Sequence, residues 1–510
     1  MIKRFFEWNK KRNSNQNRGD ILVTSLVFGA IALMVVVGLI NWGVYIMKSI
    51  RATVSREQAF QIAEAGADYY QWHLAQYPTD YQDGTSGSGP YSHDFFDKDG
   101  NLLGSFHLTI TPPQIGSTVV KIVSEGRIAS SSIARKIEKT MAIPSLARYA
   151  VVANDNMRFG EGTEVFGPIQ SNGGIRFDGV AHNLVSSAMS TYRDPDTGQT
   201  EWGVYTNVGT DDPTPPTALP NRSDIFIAGR QVGVPRTDFV GLTAGLTNLQ
   251  TLARAGGKEW TSSGSKGYHI ILRTDGKYDI YKVNSLQASP NSTCSDGGDS
   301  QVQWGTWSIK NKNPNDSNQP NQTYIGRYNF PTNGVIFVND HVWIDGQIDS
   351  ARLTVVAGLI GNTDPTKNAN ITINSDLIYS SYDGTNSVGL VAQGNINVGL
   401  VSEDDIRIDA ALVAEKGRVG RFFYNSSCSI SGTAYWHRDS LTLYGMIATY
   451  VRYGFAYTGN SFNCGGSIGS TGSGYCIRDI TYDANLLYAP PPSFPQATTQ
   501  YQVISWREIK

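Results

Sequence analysis

The chain has 510 residues, 17% of them charged, and a formal net charge of −2. That balance offers no basic surface for nucleic acid, and the length leaves room for two or three domains with a sizeable core. With 53 Gly and 26 Tyr, the composition is that of strands and turns, not of a helical cytosolic enzyme.

The first predicted element is a membrane segment. Ile21 to Met47 is a run of 27 uncharged, mostly apolar residues, about 40 Å as a helix against a hydrocarbon core of about 30 Å. Residues 1–19 carry Lys3, Arg4, Lys10, Lys11, Arg12 and Arg18 against one acid, Glu7. This excess marks a basic cytoplasmic leader, with the bulk of the chain exported. A secretory signal has a shorter apolar region followed by a small-residue cleavage site. Lys48-Ser49-Ile50-Arg51 offers none, so the segment is read as a single-pass anchor. Beyond it Phe60, Ala63, Ala67, Tyr70, Leu74 and Tyr77 recur at alternating intervals of three and four, the seam of an amphipathic helix. Pro78 is the first stop signal, so one helix over 20–78 spans the membrane and projects from it.

A leader ending in Arg18-Gly19, the apolar run, and the string Ala59-Phe60-Gln61-Ile62-Ala63-Glu64-Ala65-Gly66 together resemble the N-terminus of PilX-type minor pilins of type IV pili. The pseudopilins of type II secretion start similarly. The resemblance covers about residues 15–77. It implies cleavage between Gly19 and Asp20 by prepilin peptidase, and packing of the helix against other pilin-like subunits through Phe60, Ala63, Ala67, Tyr70 and Leu74. Thr24 stands where main pilins carry a glutamate, and Asp20 where they carry an aromatic residue; PilX-type members often lack that glutamate. With the leader retained, Asp20 would cap the helix N-terminus.

Residues 79–147 read as a small antiparallel sheet, a pilin-like head, with period-2 strands at 105–110, 119–123 and 134–141. Asp97-Lys98-Asp99-Gly100-Asn101 lacks the later ligands of a calcium loop and is a hairpin turn. From 148 the pattern changes. Val342-x-Ile344-x3-Ile348 is followed at intervals of 29, 35 and 35 residues by triplets at Ile371, Ile406 and Leu441. Met157-Arg158-Phe159 and Ile175-Arg176-Phe177 lie 18 apart. Stacked coils of about 17 residues explain such spacing better than a β-sandwich does. The fold expected is therefore mainly β with a long N-terminal α-helix: the small sheet, then a parallel β-helix (solenoid) over 148–190 and 335–510, ending in a C-terminal cap. Asn and Gly at its corners would supply left-handed backbone. Residues 191–334, with a helix from Asp238 to Ala255 and an Asn-rich loop from Asn311 to Asn321, would form an inserted α+β subdomain.

All four cysteines lie beyond the anchor, where disulfides persist. Cys464 and Cys476 bracket a Gly/Ser-rich loop and are read as a pair; pairing of either with Cys294 or Cys428 stays open. Gly465-Gly466-Ser467-Ile468-Gly469 matches a nucleophile elbow but lacks its strand and helix. No motif calls for a cofactor or a metal. Glu403, Asp404, Asp405, Arg407, Asp409, Arg418 and Arg421 are the residues a membrane-anchored β-helical polysaccharide lyase or hydrolase would use. A solvated charged face is the plainer reading. The chain is thus expected to be a non-enzymatic minor pilin-like subunit, exposed at the cell surface or on a pilus. The alternatives are that glycan-active enzyme and an adhesin whose partner is a surface glycan.

Overall fold

The computed structural model describes residues 17–114, 117–143, 145, 147–239, 245–291, 294, 305–309, 321–465, 470–494 and 500–509. They divide into two units, one of Met1–Thr111, Lys121–Thr140 and Val503–Lys510, the other of Pro112–Val120 and Met141–Gln502. The protein is mostly β, with one long N-terminal helix and several sheets.

In the first unit a single helix runs from Asn17 to Gln76. Asp20 lies within it and is not its cap. Five strands form the sheet, in the order Tyr91–Phe96, Leu102–Thr111, Val120–Ile128, Ala134–Ala142 and Gln502–Ile509. The first three pair antiparallel, with Tyr91 opposite Leu108 and Gly104 opposite Ile128. The fifth strand corrects the expected boundary: residues 502–509 are no cap of the coils but an edge of this sheet. Small residues on the helix let the sheet approach its backbone. A Cβ on Gly126 would meet Ala59 O at 2.2 Å and Ala63 N at 2.4 Å, and one on Gly66 would meet Ser124 Oγ at 2.4 Å.

In the second unit, short strands pair in parallel along three ladders. In the first, Ile336, Val355, Leu390, Leu412, Ile447, Val151, Ile169 and Val185 are successive register partners. All eight are fully buried. The second aligns Tyr268, Val342, Ile371, Ile396 and Val419. The third aligns Leu377, Ile408, Leu443, Ile480, Val165 and Ala181. Each row buries apolar side chains that a single strand pair leaves half exposed.

Three expectations change. The triplet at Ile371 meets that at Ile406 only out of phase: Ile371 pairs with Ile396, and Leu377 with Ile408 in place of Leu412. Only the triplets at Ile406 and Leu441 are partners throughout; those at Val342 and Ile371 align at their first members, but Ile348 then pairs with Tyr379 and Leu377 with Gly346. Secondly, 191–334 is not a separate insertion. Arg230–Val232, Lys258–Trp260 and Gly267–Leu272 join the ladders, and Val204–Tyr205 pairs in parallel with Ile175–Phe177 in a separate three-stranded sheet. The helix there spans Gly245–Ala255 and buries Leu246, Leu249 and Ala253 in one cluster with Val335, Phe337 and Val356. Residues 240–244 and 311–320 of the expected helix and loop lie outside the described residues. Thirdly, the corner asparagines act through their side chains. Asn370 Oδ1 accepts from Asn395 N at 2.5 Å, and Asn395 Oδ1 from Arg418 N at 2.8 Å. Among the described residues no asparagine has positive φ; glycines supply that geometry, as at Gly445.

Candidate functional site

The feature that most needs a partner is the first half of the helix. Every residue from Ile21 to Arg51 is exposed, including Phe28 at 71%, Met34 at 72% and Trp42 at 63%. A continuous apolar surface of this kind is too large for a soluble monomer to leave bare. It is the one helix among the described residues long and apolar enough to cross a membrane, and is compatible with single-pass anchoring. Gly19 and Asp20 both lie within the helix.

The seam above it behaves differently from the expectation. Ala63, Ala67, Tyr70 and Leu74 are fully buried, and Ala63 and Ala67 pack on Ile137 of the chain's own sheet. They are therefore not free to receive a partner helix. Phe60 is half-buried, edge-on to Trp506 at 6.0 Å with the Arg135 guanidinium 5.8 Å from its ring centroid. At the far end of the seam, Tyr77 is exposed. Tyr70 donates to Asp80 O at 3.0 Å, and burial pushes its hydroxyl pKa above the usual tyrosine range.

Six of the seven charged residues of the enzymatic alternative have side-chain partners within the body. Asp409 is buried; its Oδ2 accepts from Tyr379 N at 2.9 Å and Tyr382 OH at 2.8 Å, its Oδ1 from Arg407 Nε at 2.9 Å. Burial raises its pKa and these donors pull it back only in part. Asp404 pairs with Arg438, and Asp405 accepts from Ser440 Oγ. Arg418 lies 4.7 Å from the Phe422 centroid and donates to Tyr457 OH. Arg421 is fully buried and donates to the carbonyls of Gly399, Leu400 and Tyr435 and to Ser402 Oγ. Glu403 is half-buried, with its carbonyl accepting from Tyr475 OH. Residues 466–469 of the GxSxG string lie outside the described residues.

Sequence reasoning missed a polar cleft beside the second ladder, lined by His269, Gln322, Trp343, Asp345, Thr372 and Asn374 among others. His269 sits between Asp345 (2.9 Å) and Gln322 (2.8 Å). Burial alone would lower its pKa, but Asp345 and Gln322 outweigh it and the net direction is upward. At about 30 Å³ the cleft has room for a water or two and not for a sugar ring. No spacing motif signals it, because His269 meets Gln322 and Asp345 from 53 and 76 residues away. The disulfides join Cys464 to Cys476 and Cys294 to Cys428.

No family model matches this chain, and no curated protein does. Among solved structures, the chain is similar to the competence-associated pilin ComZ from Thermus thermophilus at 14% identity and a TM-score of 0.31, over 89% of this chain and 98% of that one.

Proposed function

We propose that this chain is a minor pilin-like subunit of a type IV pilus or pseudopilus. One observation carries the reading: a single unbroken helix is bare and apolar on all sides below Arg51, then packs small residues onto its own antiparallel sheet. The string from Ala59 to Gly66 supports the PilX-type resemblance. The anchor half, and not the buried seam, meets the membrane first and neighbouring pilin-like helices afterwards. Prepilin peptidase cuts between Gly19 and Asp20. The stacked parallel ladders form a β-helical body carried on the exported side, with a structural and not a catalytic role.

The adhesin reading draws on one feature. Tyr382 is 45% exposed yet held rigid, with its hydroxyl on Asp409, Arg407 at 5.0 Å from its ring and Tyr444 edge-on at 5.0 Å. A fixed aromatic face of this kind suits stacking on a surface glycan at little entropic cost.

The test is the mass of the N-terminus from purified membranes. The parent should begin at Asp20, and Gly19→Ala should accumulate a heavier form retaining Met1. An intact leader in both proteins would overturn the assignment.

A further inference from the structure

We propose that the body binds a small inorganic anion of the halide class between Arg421 and Arg438.

Two buried arginines meet there, and a third, Arg418, is bonded to the backbone of the first. Arg418 Nη2 donates to the Arg421 carbonyl, and Arg421 Nη2 donates to the Tyr435 carbonyl at 2.6 Å. The Arg438 guanidinium lies 4.6 Å from the Tyr435 ring centroid. Arg421 lies 5.7 Å from the ring of Tyr475, which is the register partner of Arg438. Arg421 is 0% and Arg438 2% exposed. Against these cations the structure sets one carboxylate, Asp404, which meets Arg438 Nη1 and whose own side chain is 61% exposed. The acceptors of Arg421 are all neutral: the carbonyls of Gly399, Leu400 and Tyr435, and Ser402 Oγ. Burial, with Arg438 adding to it, brings the Arg421 pKa down to about 10.

The hydrogen-bond pattern points to an anion as well. Arg438 Nε and Nη2, Arg421 Nε and Arg418 Nε are buried without a partner. Nε and Nη2 share one edge of a guanidinium, the side-on fork that receives anions. Leaving that fork empty forfeits charged hydrogen bonds whose donors are already desolvated. A bound anion supplies both the acceptor and the missing negative charge. Tyr424 and Tyr475, both fully buried, line the same region, which favours a monatomic ion over a metabolite.

The experiment melts the detergent-solubilised full chain in sodium chloride, sodium bromide and sodium gluconate at matched ionic strength. Chloride and bromide should raise the melting temperature of the body saturably, by about 2 °C over gluconate. Bromide-soaked crystals should show an anomalous peak within hydrogen-bond reach of Arg438 Nε and Nη2. Asp404→Asn, which removes the competing carboxylate, should lower the half-saturating chloride concentration about fivefold. Arg438→Leu should abolish the response. Equal melting in all three salts with no anomalous peak would mean that water fills the fork, and would overturn the proposal. So would a halide response unchanged in both variants, since the ion would then bind elsewhere. The parent protein alone decides the first outcome, whether or not Arg438→Leu folds.

Discussion

Glu415 offers a direct test of how the first ladder is buried. It follows Ala414 in that ladder and is 3% exposed, and its Oε2 has no hydrogen-bond partner. Burial pushes its pKa up to about 8, with only Lys416 opposing. The folded protein therefore holds a proton that the unfolded chain, with an ordinary glutamate pKa near 4.5, has released. A group with a raised folded pKa of this kind makes unfolding easier as pH rises between those two values. The loss is about 1.4 kcal/mol per unit, or about 3 kcal/mol by pH 7. Glu415→Gln keeps the shape and removes the titration. The variant should match the parent near pH 4.5, exceed it by about 3 kcal/mol near pH 7, and gain little beyond pH 8. Urea unfolding of the body at pH 4.5, 5.5, 7 and 8 measures the difference. A gap between the two proteins that stays constant across that range would refute the buried, unpaired carboxyl.

Gly126→Ala should loosen the helix from its sheet by about 1–3 kcal/mol, because the new Cβ meets backbone atoms that cannot swing aside; limited proteolysis near Gln76 reads this out, and an unchanged digestion pattern would count against the contact. Removing residues 502–510 should destabilise the small sheet and leave the unfolding midpoint of the body unchanged, since Trp506, Arg507 and Glu508 meet Phe60, Glu138 and Arg135. Non-reducing peptide mapping of exported protein should recover Cys464 linked to Cys476. Replacing both with serine should cost about 3 kcal/mol in the chain-entropy account of a loop this short.

The helix and the small sheet were largely legible, because their signals are local. An apolar run without charge, a three-and-four seam and period-2 strands each declare themselves within a few residues. Tyr91–Phe96 escaped because Ser92, His93 and Asp94 give it a polar middle. Gln502–Ile509 escaped because nothing in its own residues says that it pairs with a strand ending at Ala142, some 360 positions earlier. The rows of the ladders were visible as apolar pairs two residues apart, but their phase was not. Successive turns of the first ladder take 16 residues from Ile169 to Val185, 18 from Val151 to Ile169, and 35 from Val355 to Leu390. Equal spacing of two triplets in such a chain is therefore no proof that they align in register.

The order of the stack shows why the candidate sites were harder still to read. Val151 pairs with Ile447, so the strands that come first in sequence sit after the later ones in the stack, and the chain joins the ladders partway along. The segment from Arg230–Val232 to Lys258–Trp260 then runs from one end of the first ladder to the other, and its helix covers Val335 and Phe337 on the way. A side chain's neighbours in such a fold are set by register across turns of unequal length. His269 meets Asp345 because Ile270 aligns with Ile344, and Arg438 meets Tyr475 because Leu443 aligns with Ile480. Charges that look like a cluster in sequence, from Glu403 to Arg421, are dealt out to separate partners by the same rule: Asp404 to Arg438, Asp405 to Ser440, Asp409 to Tyr379 and Tyr382. The apolar rows need only the right kind of residue at each turn and so survive errors of phase. Polar sites need particular residues in contact, and an error of one strand is enough to dissolve them.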